Sequence, residues 1–211
     1  MKRLAWLLVG VLAACAGKPA APDWQVGAHG ALQRYEQAFL AGSTRAAEAE
    51  FARARQELSA TGEATLVARA ELTRCALQVA SLVFEPCAGF EALRQDAGPA
   101  EQAYADFLQA RPADAALLPA QHRALASGAV DVATLAAIAD PLSRLVAAGV
   151  SLRAGRAGPE VLQLAADTAS AQGWRRPLLA WLGAQLRLAE QRGAGEDAER
   201  LRRRIALASG G

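Results

Sequence analysis

The chain of 211 residues has no asparagine, two lysines, two isoleucines and two histidines, and only 5% of it is aromatic. Each scarcity excludes something. Isoleucine and the aromatics are among the residues that favour a pleated, half-buried sheet. A chain whose isoleucines are Ile138 and Ile205 alone is therefore poor material for strands. A metal centre has little to build on. His29 and His122 are the only histidines, and no His-x-x-x-His or Cys-x-x-Cys spacing occurs, so a site would need distant carboxylates. Both histidines read as structural, with His122 placed at a core boundary by Leu118 and Leu125. A Gly-x-Ser-x-Gly elbow, a phosphate loop and a dinucleotide fingerprint are all missing, and Gly155-Arg156-Ala157-Gly158 is too short to cradle a phosphate. No cofactor, no metal and no enzymatic activity are expected. A surplus of positive charge is missing too. Basic residues number 23 against 21 acidic ones, and Lys2 and Arg3 account for the difference. The chain beyond them is neutral, so no nucleic acid is expected as a partner, because phosphate backbones demand a basic excess or stripe.

Alanine and arginine, by contrast, are plentiful, and both are good helix formers. Leu32, Tyr35 and Phe39 make an apolar stripe at helical spacing that ends at Gly42. Ser43 is placed to cap the next helix, with Ala47, Phe51, Ala54 and Leu58 facing inward. Residues 63–83 are apolar on two faces, Leu66-Ala70-Leu77 and Leu72-Cys75-Val79-Leu82, which predicts a helix sandwiched between neighbours. Pro86 stops it, since proline cannot continue the hydrogen-bond ladder. Further helices are expected over 100–110, from Pro119 to about residue 127, and from Asp131, Pro141 and Pro159. Two more follow, one carrying Trp174, Leu178, Trp181 and Leu188 and one from Glu196 to about Ala208. Gly149 to Gly158 holds three glycines and no long apolar period, so a mobile loop is expected there. The fold class is all-α: eight or nine helices in antiparallel hairpins, as short turns dictate, forming an α-solenoid-like array or an irregular bundle.

The first residues are of another kind. Met1-Lys2-Arg3 is a short basic start, Leu4 to Leu12 is an unbroken apolar run, and Leu12-Ala13-Ala14-Cys15 closes it. The apolar run is too short to span a hydrocarbon core, which takes roughly 20 residues. It has instead the order of an export signal. The closing tetrad resembles the lipobox of bacterial lipoproteins. That resemblance implies a signal peptide over 1–14, lipid attachment at Cys15, anchoring by several acyl chains, and a tether over 15–27 before a single domain, 28–211. Ala16 in place of an Asp resembles the lipoproteins that are sent on to the outer membrane. Two other readings stay open: cleavage after Ala16, releasing a soluble chain, and an uncleaved N-terminal segment. Trp24 either docks on the domain or lies at a lipid interface. In an exported chain the remaining pair, Cys75 and Cys87, suggests a disulfide, with two buried thiols as the alternative.

A second, fainter resemblance lies within the domain. Ala47, Phe51 and Ala54 after Gly42, and Ala198, Arg202 and Ile205 after Gly193, resemble the second helix of a tetratricopeptide repeat. Arg202 stands where that pattern has a large apolar residue, and no regular period links the two. Arg200, Arg202, Arg203 and Arg204 form one basic cluster. It is either a patch for an anionic partner or lipid headgroups, or the complement of Glu196, Asp197 and Glu199 along a helix dipole. Carboxylate pairs such as Glu48/Glu50 read as solvated. The expected function is a non-enzymatic, outer-membrane lipoprotein that scaffolds or binds another envelope protein. The alternatives are a structural link between membrane and cell wall, and a small-ligand carrier with a pocket near Trp174 and Trp181.

Overall fold

Proline and aspartate start the helices, and glycine ends many of them. Pro99, Pro141 and Pro159 each occupy the first turn of a helix, where the missing N–H costs nothing. The Asp140 side chain accepts from the Ser143 N–H at 2.7 Å, and Asp131 accepts from the Thr134 N–H at 2.7 Å. Gly42 closes the first helix at φ +85°, a left-handed conformation that costs a side chain-bearing residue roughly 1–2 kcal/mol. The expected Ser43 cap is not made: its side chain reaches no helix amide.

The computed structural model describes residues 21–126 and 131–210. Their order is α1 Asp23–Leu40, α2 Thr44–Ser59, α3 Ala64–Ala80, α4 Ala88–Glu91, α5 Pro99–Leu108, α6 Val132–Ala136, α7 Pro141–Arg153, α8 Pro159–Ala171, α9 Arg175–Gln191 and α10 Gly195–Ser209. Three 3₁₀ turns, Arg94–Asp96, Ala115–Leu117 and Ala120–Leu125, fill the connections, and no strand occurs among the described residues. The fold is all-α, as composition indicates. The helix count exceeds eight or nine because α4 and α6 are single turns, too short to leave a periodic trace. The helix expected from Pro119 is instead the 3₁₀ turn Ala120–Leu125. The expected signal peptide, Cys15 and most of the expected tether lie outside the described residues. The tether's last part is corrected: Asp23 to Gly27 are already helical, because Pro22 precedes the first turn and Asp23 suits its positive end. Trp24, half-buried in the first turn of α1, packs on the core that α1 makes with α2 and so docks on the domain.

α3 organises the molecule. Its Leu66, Ala70 and Leu77 join a core made with α1 and α2, where Tyr35 is fully buried with its ring centroid 5.0 Å from that of Phe51. Its Leu72, Cys75 and Val79 join a second, larger core with α5, α7, α8 and α9. One helix is thus the shared wall of two cores, as its two apolar faces predict.

Gly149 corrects the mobile-loop expectation. It sits inside α7, fully enclosed, where α7 crosses α3. A Cβ built on it would lie 2.9 Å from Val79 Cγ1 and nearer still to the Val79 carbonyl oxygen. The glycine is there for close helix approach rather than for freedom of the backbone. The true turn begins only at Ala154 and Gly155.

Cys75 and Cys87 are joined by a disulfide with Cα atoms 5.8 Å apart. It staples α3 to the return segment that leads into α4, beneath the chain reversal at Pro86. Closing a loop of this size adds about 3 kcal/mol by restricting the unfolded chain.

The first hairpin is fastened to the rest by two arginines at the start of α9. Arg176 Nε donates to the Phe39 carbonyl at 2.7 Å, its Nη2 donates to Thr44 Oγ1 at 2.7 Å, and its guanidinium lies over the Phe39 ring at 4.4 Å. Arg175 Nε donates to the Ala41 carbonyl at 3.2 Å. Cations at a helix C-terminus answer both its orphan carbonyls and its negative dipole end.

Candidate functional site

A wide concavity lies on one side of α3. Leu72, Thr73 and Ala76 of α3 form one wall, Ala100, Glu101 and Tyr104 of α5 a second, and Leu142, Ser143 and Val146 of α7 a third. The segment Ala116–Pro119 closes the fourth side, giving an open groove of about 630 Å³. Its floor is apolar because Leu72, Leu118 and Val146 are each buried in the larger core and show only an edge. Leu117 stands on the rim, 39% exposed, one of few large apolar side chains left in water among the described residues. Across the rim, Arg69 Nε of α3 donates to Glu101 Oε1 of α5 at 2.7 Å. That hydrogen bond holds the Glu101 carboxyl below the usual carboxylate range. The groove therefore offers an apolar trough, a charged pair on its lip and the Tyr104 ring. Burial raises the Tyr104 pKa above its ordinary value of 10, so the phenol stays neutral at physiological pH.

His122 supports this floor from beneath and is not at the core boundary. It is 1% exposed, with its ring nearly parallel to Tyr104 at 5.9 Å between centroids and within 5.0 Å of Phe107. The spacing from Leu118 to Leu125 misleads because the segment is a 3₁₀ turn, with three residues per turn, so the inward face differs from that of an α-helix. Nε2 lies 3.0 Å from the Ser143 carbonyl, which requires Nε2 to carry the proton and leaves Nδ1 bare and buried without a partner. Burial, partly opposed by the Ser143 carbonyl and the Asp140 charge, pushes the His122 pKa below its ordinary 6.5. The sign follows from which state binds the proton. As pH falls below about 6.5 the unfolded chain takes up a proton that the folded one refuses, so stability is full above that pH and drains away below it, at up to about 1.4 kcal/mol per pH unit. Thermal unfolding is expected to show a Tm that declines from pH 7 to pH 5. A His122→Phe variant should remove most of that decline, and an unchanged slope would refute the assignment. Carboxylates held low by arginines, such as Glu91 at about 2, lose their contribution mainly below about pH 5.

Other residues singled out by sequence fall elsewhere. Trp181 is fully buried in α9, and its Nε1 donates to the Ala80 carbonyl at 3.0 Å. Trp174 is half-buried at the helix entry. The Trp181 indole is packed in the core and held by the end of α3. His29 is exposed on α1. Glu48 pairs with Arg74 and Glu50 with Arg34, across helices rather than in free solution. In the α10 cluster, Arg202 binds Glu190 and Glu199, and Arg200 binds Asp197. The tetratricopeptide-like positions Ala47, Phe51 and Ala54 are all buried against α1, whereas Arg202 is exposed. Among the described residues, no group of three or more His, Cys, Asp or Glu side chains is placed to hold a metal. Among the same residues, no helix is long and apolar enough to cross a membrane.

The groove went unseen in sequence because its walls come from four segments spread between Arg69 and Val146. The exposed Leu117 beside Leu118 and Pro119 was the only local sign of it. Comparison with family models, curated proteins and solved structures finds no match to this chain.

Proposed function

We propose that this is a non-enzymatic lipoprotein of the cell envelope, held at the outer membrane through Cys15, that receives an apolar segment of a protein partner in the α3–α5–α7 groove. The observation that carries the reading is the groove itself. It is an open apolar trough with Leu117 at its edge and a balanced Arg69–Glu101 pair on its lip. A trough of about 630 Å³ is within the range of a ligand pocket, but its open form and exposed leucine suit a side-chain anchor from another chain better than an enclosed small molecule.

Two measurements test the two halves separately. Replacing Cys15 by serine should move the protein from the membrane to the soluble fraction of disrupted cells, and retention in the membrane would sink the anchoring. A photo-crosslinking residue at Leu117 should give a discrete adduct in intact cells, while one at Leu207, 82% exposed on α10, should not. No adduct at 117, or the same adducts at both positions, would sink the groove.

A further inference from the structure

A second cleft, of about 200 Å³, opens where α8, α9 and α10 meet, and three arginines surround it: Arg192 at the end of α9, and Arg200 and Arg204 on α10. Arg200 and Arg204 are four residues apart, so they share one face of the helix. Elsewhere in the described chain most arginines have a partner. Arg34, Arg55, Arg69, Arg74, Arg94 and Arg202 each meet a carboxylate. In the cleft only Arg200 does, at 2.7 Å from Asp197 Oδ1. Among the described residues Arg192 and Arg204 meet neither a carboxylate nor a carbonyl, and with three arginines against Asp197 the cleft carries net positive charge on a protein that is neutral beyond its first residues.

The dipole of α10 adds to the same sign, with Asp197 in the lining and Glu196 beside it answering part of it. Ala194, the residue before α10, has no side chain with which to cap the amides of the first turn, and it lines the cleft together with Asp197 of that turn. The positive end of a fifteen-residue helix therefore lies beside the arginines. The Gln185 side chain, nine-tenths buried in the cleft wall, is fixed by donating to the Leu162 carbonyl at 3.0 Å and to Gln163 Oε1 at 3.2 Å. That gives the cleft a stiff polar back rather than a collapsible one.

We propose that this cleft binds a phosphate group, with Arg192 and Arg204 as its principal ligands and Arg200 exchanging part of its contact with Asp197 for the anion. The planar fork of arginine donates two parallel hydrogen bonds to phosphate oxygens, and two guanidiniums lining one cleft can neutralise a dianion. This reading is independent of the groove and of the partner proposed for it. The phosphate belongs either to a soluble phosphorylated molecule or to a lipid headgroup at the membrane surface.

The test uses the full chain carrying Cys15→Ser, so that acyl anchoring contributes nothing. Titration with inorganic phosphate, followed by calorimetry at fixed ionic strength, should show saturable binding at one site. Arg192→Ala with Arg204→Ala should weaken it at least tenfold, while Arg203→Ala, adjacent to Arg204 in number but off the cleft lining, should leave it unchanged. Absence of saturable binding, or an equal loss in Arg203→Ala, overturns the site. Given saturable binding, co-sedimentation with phosphatidylglycerol vesicles that is lost in the double variant assigns the headgroup as source. Failure to co-sediment assigns a soluble phosphate.

Discussion

Alanine at position 149 is expected to destabilise the protein by about 3 kcal/mol, the upper end of what one added methyl costs a filled interior. The sign is the informative part. Glycine inside a helix is ordinarily worse than alanine by about 1 kcal/mol, so on α7 taken alone Gly149→Ala would stabilise. Here the new methyl meets the Val79 carbonyl oxygen and Cγ1. The first is backbone and cannot swing away. α3 cannot retreat either, because its other faces are packed by α1, α2 and α5 and its end is stapled at Cys75. The crossing must therefore widen, and contacts along both helices loosen together. Urea denaturation measures the difference directly. A variant within about 0.5 kcal/mol of the parent, the range of an ordinary surface change, would mean that α7 and α3 do not cross at this glycine.

Trp181→Ala is expected to cost about 4 kcal/mol, in the range for removing a buried tryptophan. The ring leaves a hole between α9 and the end of α3 that no neighbouring side chain is long enough to fill. Its hydrogen bond is a separate contribution. Ala80 is the last residue of α3, and its carbonyl has no helical partner, so Trp181 Nε1 is what satisfies it. Trp181→Phe restores most of the volume but leaves that carbonyl bare, and about 2 kcal/mol should still be lost. Thermal unfolding should register the alanine variant as a drop of about 10 °C, taking 2–4 °C per kcal/mol for a domain of this size. A loss under 1 kcal/mol for Trp181→Ala would reopen the idea of a cavity beside the ring.

The class of fold could be read from the chain because its evidence is local. Alanine, arginine, the N-terminal prolines and the closing glycines each act within a turn or two of where they stand. The two apolar faces of 63–83 even placed α3 between two cores, since a helix buried all round has few other places to be. The bridge between Cys75 and Cys87 was within reach for the same reason: Pro86 turns the chain back just before the second cysteine. Gly149 was misread because one residue type serves two opposite ends, freedom in a turn and closeness at a crossing, and only the neighbour decides which. His122 was misplaced by assuming α-helical spacing across a 3₁₀ turn. The groove and the arginine cleft belong to no segment at all. Nothing near Arg176 in the sequence names Phe39 as the carbonyl it seeks.

That last contact also bears on the order in which the molecule is completed. Arg175 and Arg176 reach α1 across 134 and 137 residues of sequence. A chain emerging N-terminus first, from a ribosome or through a translocation pore, makes α1 and α2 long before it makes α9. The opening hairpin must then wait for the donors from Arg175 and Arg176 until most of the polypeptide has arrived. An open-ended repeat array can finish each unit as it appears. This molecule ties its beginning to its end, so maturation is deferred to a late closing step, and a chain truncated before Arg175 should remain soft at its very first helix.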